Sequence, residues 1–476
     1  MLPVSALSAL LAASLSFDLV NAHGHDDHAQ LHKRLAAAAA APSSPAAGTG
    51  TTAAAGAAGT GSYTVPPLAS ITSGMPAGPT PTLATTFTPG AVPSLSGAPP
   101  LPSAFVFNAA DWPALDVIPP TDSAEVQEWM KELDGVDIPN ITPTVDGSCA
   151  NDAQAAAQAQ QRGWWTCGGY TSGNDIVACP DKLTWGVSFD DGPAPYSKLK
   201  LLNYLGDHKL SATFFVVGSR VVSFPQILIA EYMAGHEISV HTWSHHPLTA
   251  MTNEQIVAEL GWTRKAIQAV LGVTPTTMRA PFGDIDNRVR AISNAMGLRP
   301  IIWTTGPGGP FDTNDWRVAG GLHTGVEQLG IFESLLGNAT LIDTGFIVLE
   351  HDLFEITVDL AVGYTLDAAQ SHNPAFKLES IGRCMNFAPN DLYKETATTD
   401  IVNSNSSSSS NSSSTSTSSG SKSSSGTKST GASGSKASGN TTGAASDNGA
   451  AGLRLPSTAF AGVVAAAVAA VFAGFL

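Results

Sequence analysis

Between residues 181 and 370, short apolar runs alternate with helical patterns, and this alternation limits the possible folds more than any other feature of the chain. Leu183-Thr184-Trp185-Gly186-Val187 reads as a buried strand, as do stretches at 212–217, 237–240, 277–279, 300–304 and 346–349. Helical patterns fall between them at 224–234, 287–296, 325–336 and 358–369. The clearest runs from a capping box at Thr252-Asn253-Glu254-Gln255 to Leu271, where Gly272 stops it. Repeated strand-then-helix units imply a parallel sheet, either doubly wound or closed as a barrel. In both architectures chemistry gathers at the C-terminal ends of the strands.

Composition confines that core within the 476 residues. Residues 23–100 and 397–448 are Ala-, Ser-, Thr-, Gly- and Pro-rich tracts that read as linker and stalk, because such segments bury too little apolar surface to order themselves. Residues 101–180 then form a disulfide-containing lead-in with a helix start near Asp122, 181–376 the α/β domain, and 377–396 a closing segment with Cys384. The net charge of −16 argues against a nucleic-acid partner, which needs a basic footprint. Residues 1–22 read as a secretory signal. Residues 449–476, with their uncharged apolar tail, read as the signal for a glycosylphosphatidylinositol anchor attached at Asn448. Such a chain meets an oxidising compartment, where Cys149, Cys167, Cys179 and Cys384 can form two disulfides in any of three pairings. Asn140, Asn338, Asn405, Asn411 and Asn440 each open an N-x-Ser/Thr acceptor. The tract His23, His25, His28 and His32 is given no role.

The chemistry starts at Ser188-Phe189-Asp190-Asp191-Gly192-Pro193. Gly-Pro stops the preceding strand and leaves two adjacent carboxylates at its end, one able to bind a metal while the other faces a reacting water. His241 and His245 follow another strand, and their spacing places them on one face if the segment turns helically. Two His and one carboxylate make an open three-ligand metal site, a set that suits a hydrolase and equally a non-haem Fe(II) oxygenase. Ligand chemistry alone leaves both open.

Five stretches occur in the order of the five motifs of the polysaccharide deacetylase (NodB-homology) family. They are Ser188-Phe189-Asp190-Asp191-Gly192-Pro193, His241-x-x-x-His245, Arg279-Ala280-Pro281-Phe282-Gly283, Asp312-Thr313-Asn314-Asp315-Trp316 and Leu349-Glu350-His351. The chain resembles this family, and most of all its fungal cell-wall chitin deacetylases with a lipid anchor. The resemblance implies a distorted (β/α) barrel and an amidohydrolase that removes N-acetyl groups from chitin or chitin oligomers in the cell wall, outside the plasma membrane. It implies a divalent metal, with zinc the first choice and cobalt a second, held by Asp191, His241 and His245. Asp190 would be the general base, paired with Arg279, and His351 the general acid, tuned by Asp315. Phe282 would lend its backbone N–H to the oxyanion, Trp316 would wall the site, and Leu349 would line the pocket for the acetyl methyl group. The chain departs from the family in having Ser188 where Thr is more usual, Phe282 for Tyr, His246 beside the second ligand, and a glycine-rich stretch at 306–310. Two other readings remain: a deacetylase of another acetylated polysaccharide, and a wall mannoprotein that binds chitin without turning it over. The Fe(II) oxygenase reading is set against the β/α alternation, since its ligands belong on an antiparallel jelly roll.

Overall fold

The computed structural model describes residues 64–74, 87–196 and 200–402. The expected signal segment, His tract, stalk and anchor signal, with Asn405, Asn411, Asn440 and Asn448, lie outside the described residues. No helix among the described residues is long and apolar enough to cross a membrane.

Seven short strands form one parallel sheet: β1 Thr184–Asp190, β2 Thr213–Val216, β3 Glu237–Val240, β4 Thr277–Met278, β5 Arg299–Pro300, and, after the β6 Thr305–Gly306 and β7 Gly309–Pro310 hairpin, β8 Phe346–Ile347 and β9 Lys377–Ser380. The order is β5-β4-β3-β2-β1-β8, and β9 also pairs with β1. The two ends of that order approach each other where the Thr304 N–H donates to the Ile347 carbonyl at 3.0 Å, so the sheet curls into the distorted (β/α) barrel. The strand expected at 300–304 is shorter because its backbone turns to serve two neighbours, Ile176 and Ile347.

Every residue of β1 is buried, which is why the strand reads as a continuous apolar run. Gly186 is required there by close approach: a Cβ would lie 2.9 Å from Cys179 Sγ. The helices that cover the sheet include α1 Ala124–Met130, α2 Leu202–Asp207, α3 Gly218–Ser223, α4 Pro225–Met233, α5 Asn253–Leu271, α6 Asn287–Ala295, α7 Asp315–Ala319, α8 Gly325–Ala339 and α9 Glu355–Leu360. At the start of α5 both capping-box bonds form between Thr252 and Gln255, and Gly272 ends it with φ 77°. The cysteines pair as Cys149–Cys167 and Cys179–Cys384, and the second bridge joins the entry to β1 with the residues that follow β9.

The linker reading of 23–100 needs correction over 64–74 and 87–100. Ile71 is buried against Trp316, Val318 and Phe354, and its carbonyl accepts the Gly325 N–H at 2.8 Å. Ala98 belongs to the main core, and Ser94 N–H bonds the Met233 carbonyl at 3.1 Å. Single apolar anchors such as Ile71, spaced along a polar strap, order it by docking onto helices, and composition averages hide them.

Candidate active site

The strand ends bring the expected residues to one place. Asp190 closes β1 and is bridged to His351, while the Val216 and Val240 carbonyls at the ends of β2 and β3 accept the N–H groups of His241 and Arg279. Asp191, His241 and His245 therefore rest on β1 and β3, which flank β2 in a parallel sheet, and this removes the jelly-roll setting of an Fe(II) oxygenase. Beyond the strands the backbone is tight. Asp191, Thr242, His245, Phe282 and Asn314 all have φ between 56° and 81°, and strained non-glycine residues of this kind cluster at functional sites.

Asp191 Oδ1 lies 3.3 Å from His241 Nε2 and 3.0 Å from His245 Nε2. Among the described residues these three form the group that could hold a metal ion, with ligand atoms within 4.8 Å of one another. Such separations suit donors that share one ion at about 2.0–2.2 Å, and all three side chains are buried. His241 Nδ1 lies 2.8 Å from the Arg279 carbonyl, which assigns the proton to Nδ1 and leaves the Nε2 lone pair for a metal. The residues thus fit a divalent cation. The two histidines meet through a left-handed turn, however, and the helical face expected from their spacing is absent.

Beside the triad, Arg279 Nη1 donates to Asp190 Oδ1 at 2.6 Å and to Ser188 Oγ at 3.1 Å. Ser188 thus supplies a hydroxyl acceptor to the guanidinium. The guanidinium is fully buried, its carbon 4.0 Å from the Phe215 ring centroid, so this cation has one orientation. Asp190 Oδ2 lies 3.8 Å from His241 Nε2, adjacent to the triad but not part of it.

On the neighbouring strand end, His351 Nδ1 meets Asp315 Oδ1 at 2.7 Å, and the His351 N–H donates to Asp315 Oδ2 at 2.8 Å. Burial disfavours the charged imidazole, but Asp315, aided by Asp191 and Asp190, overrides it and raises the His351 pKa to about 10. The Phe282 ring packs edge-on against His245 at 4.7 Å between centroids. Leu349, Trp316, Phe282, Trp303, Trp165 and Asn338 help to line an adjoining cavity of about 340 Å3. The 305–310 hairpin forms its rim. His246 stays outside the triad, its Nδ1 2.8 Å from Ser244 Oγ.

Of the sequons, Asn140 is exposed and Asn338 is half-buried in the cavity wall. Two site residues were missed at the sequence level. Arg220 Nη1 donates to the Asp191 carbonyl at 2.6 Å. Glu259 of α5 accepts the Trp243 and Ser244 N–H groups at 2.7 and 2.9 Å. A carboxylate at 259 between Ile256 and Leu260, on the buried face of the helix, was the signal available for the second.

A carboxylate paired with a buried arginine, a buried Asp-His-His triad and a charged histidine, all at the strand ends of a curled parallel sheet, define a metal-dependent hydrolase of the barrel-top kind. Residues 178–301 match the model of the family described as polysaccharide deacetylase. "Chitin deacetylase 1" of Cryptococcus neoformans is 49% identical over 360 residues, 74% of this chain and 75% of that protein. The "Chitin deacetylase" of Amylomyces rouxii is 33% identical over 323 residues, 64% of this chain and 73% of that one. The solved chitin deacetylase from Colletotrichum lindemuthianum aligns with TM-score 0.41 and 23% identity over 47% of this chain and 96% of that one. The chain belongs to the polysaccharide deacetylase family.

Proposed function

We propose that the protein removes N-acetyl groups from N-acetylglucosamine units of chitin, yielding chitosan and acetate, with zinc as its metal and cobalt as a working substitute. The observation that carries this reading is an arginine-paired Asp190, 3.8 Å from a ligand of one buried Asp-His-His triad, bridged through its strand to an aspartate-paired His351. The names of the relatives support the substrate. Asp191, His241 and His245 would hold the divalent metal, which when bound would supply Lewis-acid polarisation and lower the pKa of water. Asp190 takes the proton of the attacking water, its carboxylate aimed by the Arg279 hydrogen bond. The Phe282 N–H, turned by its φ of 61°, is the donor assigned to the developing oxyanion. His351, its Nδ1 held by Asp315, delivers a proton from Nε2 to the leaving amine. Leu349 and Trp316 offer the acetyl methyl an apolar wall in the adjoining cavity.

We also assign the protein to the outer face of the plasma membrane and the cell wall, secreted by the 1–22 signal and held by a lipid at Asn448. Two disulfides and the sequons support an oxidising route. The test is acetate release from N-acetylglucosamine oligomers of graded length, with chelation, zinc add-back and Asp190→Asn alongside. Acetate that is lost on chelation, restored by zinc and absent in the variant is expected. A folded, zinc-loaded protein that releases none from any length would overturn the reading.

A further inference from the structure

We propose that Glu259 is the positioning residue of the metal site, acting through the backbone of the turn that carries both histidine ligands. This rests on the reading of Asp191, His241 and His245 as that site. The turn is costly to hold, because Thr242 has φ 66° and His245 has φ 56°, values that non-glycine side chains disfavour. Such a conformation persists only where its surroundings dictate it. Here both sides of the backbone are gripped. On one side, the Thr242 and Trp243 carbonyls accept the Gly218 and Ser219 N–H groups at 2.9 and 3.1 Å, from the start of α3. On the other, Glu259 Oε2 accepts the Trp243 and Ser244 N–H groups, and Oε1 accepts the Ser244 hydroxyl. The His245 N–H donates to the Thr242 hydroxyl at 3.1 Å, and that hydroxyl bonds in turn to Glu259.

One carboxylate therefore spans the three residues between the ligands. It does so from a fully buried position on a helix face shared with Ile256, Leu260 and Ile267. Burying a carboxylate is expensive, and an apolar side chain would serve the packing of that face better. Its bonds all go to the turn, so what the carboxylate adds is the turn's shape, and with it the distance and angle between His241 Nε2 and His245 Nε2.

The experiment is zinc affinity of the full chain, by competition with a chromophoric chelator, together with the visible spectrum of the cobalt-loaded protein. Glu259→Gln keeps the size of the side chain but faces an amide NH2 toward donors. The expected result is a 10–100-fold weaker zinc Kd, an altered cobalt spectrum and a lower kcat with KM for oligomers little changed. Ser244→Ala removes one bond and leaves the carboxylate, and is expected to move Kd the same way by a smaller factor. A purely structural role would lower Tm and leave Kd and spectrum as in wild type, and that outcome overturns the proposal. Should Glu259→Gln fail to fold, an unchanged Kd in Ser244→Ala overturns it and a weakened one supports it. Wild-type protein that binds no zinc would instead remove the metal-site reading itself.

Discussion

His351 shows how one neighbour decides what a side chain can do. A buried imidazole left alone would be neutral, and a neutral imidazole cannot act as an acid. Asp315 reverses this, placing the His351 pKa at about 10, so the acid form persists through neutral pH and is lost as pH rises toward that value. A cation on the triad opposes the contribution of Asp191, so the value falls when metal binds. Replacing Asp315 with Asn should therefore move the alkaline limb of the kcat–pH profile to lower pH, by roughly 1–3 units. The same sign governs stability. His351 is protonated more readily folded than unfolded, so its contribution is full below pH about 6.5 and is lost through about 10. For the base, Asp190→Asn should leave oligomer binding intact and lower kcat by about 10²–10⁴-fold, measured as acetate release under saturation. Arg279→Met should do comparable harm to kcat and also cost about 3–5 kcal/mol in denaturant unfolding, because it leaves the buried Asp190 carboxylate unpaired.

At the scale of elements, legibility followed how local each cause was. The helix 253–271 was plain because its capping box and Gly272 are adjacent in sequence to what they stop and start. The strand ends were plain because Gly-Pro and abrupt polar residues follow apolar runs. The turn from His241 to His245 was not, since a spacing of four is compatible with a helix and the turn is imposed by Glu259 from another element. Strand β9 was not either, for Lys377-Leu378-Glu379-Ser380 has no buried run and is a strand because β1 is beside it. The strap 64–74 was invisible for a related reason, since its anchors Val65, Leu68 and Ile71 are single apolar residues that become legible only against the helices they dock on. Ile71→Ala should lower stability by about 2–4 kcal/mol and, by loosening the back of Trp316, raise KM for oligomers. A protein trimmed to begin at 101 should show both effects, and wild-type KM in it would separate the strap from the cavity wall.

For the molecule as a whole, two kinds of tie hold the barrel beyond its core. Metal binding should stabilise the folded state by about 2.7 kcal/mol at free zinc 100-fold above Kd, so chelation is expected to lower Tm by roughly 5 °C in calorimetry. Glycan placement should follow exposure: glycopeptide mass spectrometry is expected to find sugar on Asn140 and none on Asn338, whose amide packs where a Cβ on Gly308 would lie 2.1 Å away. The second tie is Cys179–Cys384, a loop of 205 residues whose closure removes about 5 kcal/mol of unfolded-state entropy in the chain model. Because that loop encloses the barrel from β1 through β9, a peptidase that cuts the 305–310 hairpin would produce two fragments that still travel as one molecule. Such nicked protein would run as intact chain on a denaturing gel until a thiol is added, and only then separate into its two pieces.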